Sequence, residues 1–136
     1  MIVCTVLNGI KYSVDDVNTL YNSLRANTTC AFDFLCYTDY TDGFHEDIII
    51  KPILIKDKKL QWYKLDFFKP GFTDHQNIVV MDIDVDIVGN VDFIFEPFEG
   101  FVGTHRWWWR WREDKENLPI ALSGTMYKFK NGEHDY

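Results

Sequence analysis

Residues 77–90, Asn-Ile-Val-Val-Met-Asp-Ile-Asp-Val-Asp-Ile-Val-Gly-Asn, constrain this chain more than any other segment, because an apolar run flows there straight into three carboxylates at alternate positions. A continuous apolar run is what a central strand covered on both faces requires, the setting of a parallel sheet. Strand side chains alternate faces at about 3.3 Å rise per residue. Asp82, Asp84 and Asp86 are therefore expected on one face, with Ile83, Val85 and Ile87 on the other. Neighbouring carboxylates about 7 Å apart repel by about 0.6 kcal/mol in water but about 2.4 kcal/mol at an effective dielectric of 20. In a cleft such repulsion calls for a cation. An oxygen-only donor set suits Mg²⁺ or Mn²⁺, which keep waters and take further oxygens from a substrate's phosphates. The alternative reading is a solvated acidic face on an edge strand, with Asp86 serving only to organise a turn.

The 136 residues, 46% of them apolar, suit one domain spanning residues 1–136 around a single core. A formal charge of −7 and a pI near 4.9 argue against nucleic acid or an anionic membrane surface as partner. An anionic substrate would need a local cation. The first ten residues lack a basic stretch and reach Asn8 and Gly9 too early for a signal peptide. No apolar run approaches membrane-spanning length. Cys4, Cys30 and Cys36 are odd in number and form no CxxC pair, so a disulfide framework or a zinc site is not expected. They read as reduced core thiols of a cytoplasmic protein.

Ile2–Leu7 reads as a first strand closed by Asn8 and Gly9. Ser13 then stands before Val14, Val17, Leu20, Tyr21 and Leu24, which recur at helical spacing. Residues 31–37 predict a second strand, followed by a turn-rich run over 38–43. Residues 48–55 predict one or two short strands, with Pro52 marking an edge or a break. Trp62, Leu65 and Phe68 fit a short helix over 61–69, stopped by Pro70 and Gly71. After the aspartates, residues 92–95, 101–104 and 121–129 read as short extended pieces. Strands that alternate with helices early and cluster late predict an α/β fold, a mostly parallel central sheet with a mixed edge, flanked by helices.

Ligands of open α/β sheets bind beyond the carboxyl ends of the strands, where the strand order switches. Three strands here end in polar residues, at Asn8-Gly9, at Thr38-Asp39 and at Asp82-Ile83-Asp84. As parallel neighbours they would converge on a crevice shaped for a nucleotide, with Lys64 reaching phosphate oxygens from the other side.

Residues 4–12 (Cys-Thr-Val-Leu-Asn-Gly-Ile-Lys-Tyr), Trp62-Tyr63-Lys64-Leu65, residues 80–92 and residues 122–127 (Leu-Ser-Gly-Thr-Met-Tyr) carry a resemblance across almost the whole chain. In this order the chain resembles glycosyltransferases of the Rossmann-like GT-A fold that use nucleotide-sugars, including glycogenin-like and viral ones. The resemblance implies that the Asp-x-Asp of Asp82 and Asp84 is catalytic and holds Mn²⁺ or Mg²⁺ against the diphosphate of a UDP- or GDP-sugar, with Asp86 or water as a further ligand. It implies that Thr5, Leu7, Asn8, Tyr12, Thr38, Asp39, Lys64, Asp82 and Ile83 surround the donor. Ser123 and Gly124 resemble a stretch lining the pocket for the sugar and its acceptor, a glycan or a protein. Such enzymes usually run on past this point, many with a late histidine on the metal, whereas His134 is the one late histidine here and lacks the surrounding pattern. A small or truncated domain is the corresponding expectation.

Residues 105–112, His-Arg-Trp-Trp-Trp-Arg-Trp-Arg, are the oddest segment. Aromatic faces stack on sugars and arginine pairs with phosphate, so Trp107 and Trp109 are candidates for an acceptor platform or lid. A packed loop, a patch through which the chain forms a homo-oligomer, and a single-stranded nucleic-acid site are the alternatives. Ser123 has no evident His and Asp partners, which argues against a hydrolase triad. Two other functions fit part of the pattern. A haloacid-dehalogenase-like phosphatase also places Asp-x-Asp after an apolar strand, but Asp86 stands where that family favours Thr or Val, and no later acidic pair supplies its magnesium ligands. A catalytically inactive nucleotide- or sugar-binding domain would bind without turnover.

Overall fold

β1 (Ile2–Leu7), mostly β-branched residues with Cys4 and Leu7, is buried except for the partly covered Val6, and it takes parallel partners on both sides. The structure, a computed structural model, describes residues 1–54, 59–105 and 122–133. β2 (Asp33–Thr38) lies on one side of β1 and β4 (Asn77–Met81) on the other, while β3 (Ile48–Pro52) extends the sheet beyond β2. β5 (Val102–His105) and β6 (Leu122–Lys130) complete it as antiparallel strands, giving the order β3-β2-β1-β4-β6-β5 among the described residues. The expected mostly parallel α/β sheet with a mixed edge is thus the observed one. Pro52, which has no N–H to donate, ends the outermost parallel strand, the position a sheet tolerates.

The period of two decides which side chains face which layer. Val3, Phe34, Cys36, Val79 and Met81 point to the side where α1 (Val14–Ala26) packs with Val17, Leu20, Tyr21 and Leu24. Ile2, Cys4, Leu35, Tyr37, Ile78 and Val80 point to the opposite side, against Tyr63 and Phe67 of a 3₁₀ helix, Leu60–Phe68. Each fully buried aliphatic side chain of this kind stabilises the fold by about 1.5–3 kcal/mol. α1 starts where it does because Ser13 caps it. The Ser13 hydroxyl accepts from the Asp16 N–H at 3.3 Å, and the Asp16 carboxylate accepts from the Ser13 N–H at 2.7 Å.

Three expectations change. The segment 61–69 is helical, but as a 3₁₀ helix that buries Tyr63, Asp66 and Phe67, with Phe68 partly covered and Trp62 and Leu65 half exposed. At three residues per turn, residues three apart eclipse, so one such column faces the sheet and the next faces water. Asp66 is accommodated there by the Tyr37 hydroxyl at 3.2 Å and the Lys69 ammonium at 2.6 Å. Residues 92–95 are not extended, since Asp92–Ile94 forms a 3₁₀ turn begun by an Asn90 side-chain oxygen that accepts from the Asp92 N–H at 3.0 Å. The paired strand also stops at Met81, so the three aspartates do not lie along a strand.

Candidate active site

β1 is the strand at which the order of the sheet reverses: the chain goes from β1 to β2 and β3 on one side, then returns to β4 on the other. The β1–β4 register runs through Ile2, Val3 and Cys4 opposite Ile78, Val79 and Val80. One step further, the buried Thr5 hydroxyl donates to the Met81 carbonyl at 2.9 Å. Beyond that tie the two chains part, and the crevice expected at a switch point opens.

Its first wall is the loop after β1. Gly9 takes a φ of 76°, a left-handed conformation that glycine adopts without steric cost, and the Tyr40 hydroxyl donates to its carbonyl at 2.8 Å. The turn brings Asn8, Lys11 and Tyr12 to a cavity of about 230 Å³ that is also lined by Val6, Lys64, Asp82 and Asp84. Its second wall is the chain leaving β4. The Asp82 N–H donates to the Thr125 carbonyl at 2.8 Å, and residues 83–84 then turn. Ile83 is buried in the α1-side core and Val85 and Ile87 pack against it, so inside and outside still alternate although pairing has ended. Asp84 and Asp86 are left exposed.

Each aspartate in the cavity already faces a lysine. The Lys64 ammonium donates to Asp82 Oδ1 and, at 2.9 Å, to the Gly124 carbonyl, tying the 3₁₀ helix to the end of β4 and to β6. Asp84 Oδ2 accepts from the Tyr12 hydroxyl and lies 3.7 Å from Lys11 Nζ. The first pair is the sheltered one, with side chains 17% and 34% exposed against 69% and 54% for the second. Hydrogen bonding from Tyr12, aided by Lys11, lowers the Asp84 pKa below the usual carboxylate range. The Tyr12 hydroxyl, and the nearby carboxylate, raise that of Lys11. Two lysines and two aspartates therefore give the cavity no net charge within an acidic protein.

Asn8, Tyr12, Lys64, Asp82 and Asp84 come together as the sequence suggests, and Gly124 reaches them through its carbonyl. Thr5 and Leu7 are buried and do not line the cavity. Thr38 is buried too, its hydroxyl oxygen accepting from the Tyr40 N–H at 3.0 Å, while Asp39 is exposed at the end of β2. Ile83 and Asp86 line a neighbouring cavity of about 430 Å³, between α1 and residues 83–88, which shares Tyr12 and Asp84 with the first. Ser123 is buried and shares a hydrogen bond of 2.7 Å with the Thr125 hydroxyl. Trp107, Trp109 and His134 lie outside the described residues. The partnership of Lys11 with Asp84 is absent from the sequence reading: the two stand 73 positions apart, and only the Gly9 turn brings them together.

Among the described residues no three His, Cys, Asp or Glu side chains gather into a metal cluster, because the turn at 83–84 sends Asp86 to the other cavity. Asp82 and Asp84 form a two-carboxylate, oxygen-only set. Such a set fits a hard divalent ion that draws its remaining oxygens from water and phosphate. Cys4 and Cys36 are free and buried; burial raises both thiols, Cys36 to about 12, which makes them poor ligands or nucleophiles. Cys30 is free and only partly covered.

The strand order and the switch at β1 make an α/β fold of the type seen in GT-A glycosyltransferases. Solved glycosyltransferases share it. The galactosyltransferase LgtC, in complex with donor and acceptor sugar analogs, superposes with a TM-score of 0.70 at 10% identity, over 95% of this chain and 57% of that one. The glycosyltransferase GlyE of Streptococcus pneumoniae TIGR4 gives 0.67 at 8% identity, over 96% of this chain and 34% of that one. This chain thus spans little more than half of the one structure and a third of the other. No protein-family model matches the chain, and no curated protein is found similar to it. No helix among the described residues is long and apolar enough to cross a membrane.

Proposed function

We propose that the chain binds a nucleoside-diphosphate sugar at the ends of β1 and β4 and takes part in moving the sugar to a glycan or protein acceptor. The observation that carries this reading is the meeting of Asp82, Asp84, Lys11 and Lys64 in one cavity at the switch point of the sheet. A diphosphate approaching a protein of charge −7 needs local positive charge; Lys11 from the loop after β1 and Lys64 from the 3₁₀ helix would supply it once a divalent ion occupies the aspartates that pair with them. Asp82 and Asp84 are the residues that would hold Mn²⁺ or Mg²⁺, whose contribution when bound is Lewis-acid neutralisation of the departing diphosphate. Lys64, fixed on Asp82 and the Gly124 carbonyl, orients the sugar-phosphate end of the donor, and Asn8 and Tyr12 form the wall against its nucleoside.

The test is a thermal-shift screen of UDP, GDP and their sugars, each with Mn²⁺ and with EDTA, because a ligand that binds only the folded state raises its apparent stability. The expected result is a Mn²⁺-dependent rise with one nucleotide, lost in Asp84→Asn. A rise that persists unchanged in Asp84→Asn would remove that residue from the ligand set. No rise with any nucleotide in a folded sample would overturn the reading.

A further inference from the structure

Asp84 is held from the loop after β1 by two groups that also contact each other. The Tyr12 hydroxyl donates to Asp84 Oδ2, the Lys11 ammonium lies 3.7 Å from the same oxygen, and that ammonium stands 4.4 Å from the centre of the Tyr12 ring. Asp82 has its cation elsewhere, on the 3₁₀ helix. The two carboxylates thus differ in how they are held: one by a sheltered lysine anchored on a backbone carbonyl, the other by an exposed lysine and a phenol on a loop.

A divalent ion at Asp84 Oδ2 would meet a phenol proton already directed at that oxygen and an ammonium within range of strong like-charge repulsion. Asp84 Oδ2 has two lone pairs, so the phenol can stay, but its proton draws on the charge the ion would use, and the ammonium must move away. Lys11 and Tyr12 line the same cavity, so a diphosphate arriving there offers the displaced ammonium a new partner of opposite charge. From this geometry, and resting on the donor-site reading above, we infer that Tyr12 and Lys11 are positioning residues that hold Asp84 against the cation, so that cation binding depends on the diphosphate. The cation alone displaces the ammonium with nothing to receive it, whereas with the diphosphate present the ammonium meets a partner of opposite charge.

The experiment measures Mn²⁺ affinity by electron paramagnetic resonance of the free ion, which requires no turnover. It compares the full chain with Tyr12→Phe, Lys11→Gln and Asp84→Asn, without and with UDP or GDP. Tyr12→Phe changes no charge, so an effect there cannot come from the field of the site. The expected result is Mn²⁺ bound alone about three- to tenfold more tightly by Tyr12→Phe than by the parent chain, the scale of one ordinary hydrogen bond at an exposed site. The gain from adding nucleotide should shrink by the same factor, as linkage requires. Lys11→Gln should move in the same direction, and Lys11→Arg should restore the parent behaviour. Equal or weaker Mn²⁺ binding by a folded Tyr12→Phe, with Asp84→Asn binding lost, would overturn this inference and leave the donor site standing. Mn²⁺ binding untouched by Asp84→Asn, or undetectable in every variant with either nucleotide, would overturn both.

Discussion

Thr5 on β1 and Met81 on β4 are joined by a side chain where their strands cease to pair: the Thr5 hydroxyl donates to the Met81 carbonyl at 2.9 Å, one residue past the last paired position, Cys4 with Val80. The tie holds the floor of the crevice at the point where it opens. Thr5 is fully buried, so its loss leaves a carbonyl with no water to replace the donor. Thr5→Val should cost about 1–3 kcal/mol, whereas Thr5→Ser should keep most of the bond. Urea unfolding should show a lower midpoint for Thr5→Val with an unchanged slope.

The 3₁₀ helix makes a sharper test of packing, because its two faces have opposite fates. Phe67 is fully buried against the sheet and Trp62 is 52% exposed. Phe67→Ala should destabilise by about 3–5 kcal/mol. Trp62→Ala should cost less than about 1 kcal/mol, as surface changes do. Comparable losses from the two would place the wrong column against the core.

Asp92 ties the chain after the site to the end of α1. Its carboxylate accepts from the Thr28 hydroxyl at 2.6 Å, the Thr29 N–H at 2.8 Å, the Thr29 hydroxyl at 2.9 Å and the Asn90 side-chain amide at 3.0 Å. These bonds, led by that from Thr28, hold its pKa far below the ordinary carboxylate value. A pKa lower in the folded than in the unfolded chain contributes stability that is fully present above the unfolded value, near 4 on model compounds. That contribution is lost as pH falls through the folded value. The stability gap between the parent chain and Asp92→Asn should therefore be constant above about pH 5 and narrow toward pH 2. A gap that widens on acidification would contradict the assignment. Chemical unfolding at a series of pH values measures it.

Much of this architecture was legible because period-two burial is written directly into residues. Ile2 and Cys4 go to one layer and Val3 to the other; Ile78 and Val80 oppose Val79 and Met81 in the same way. The polar ends of β1, β2 and β4 also mark the carboxyl edge of the sheet, and Asp82, Asp84, Lys64, Asn8 and Tyr12 were legible as neighbours on that ground. What was hidden depends on where pairing stops and how loops fold back. Alternation of residues 82–87 continues without a strand, so the pattern itself gave no sign that Asp86 leaves the cavity of Asp82. The Trp62, Leu65, Phe68 spacing is as compatible with an outward column as with an inward one, and packing of Tyr63 and Phe67 against the sheet decided it. Lys11 had to await the backbone turn at Gly9.

The measurement that bears most directly on the account is amide NMR of the ¹⁵N-labelled chain during titration with UDP and GDP in the presence of Mg²⁺. If the donor binds at the ends of β1 and β4, one nucleotide moves the signals of Asn8, Gly9, Lys11, Tyr12, Asp82, Ile83, Asp84 and Gly124, which surround the crevice. Signals that move instead around the cavity lined by Val79, Phe93, Tyr127 and Lys128, or no signal moving at millimolar nucleotide, would contradict it.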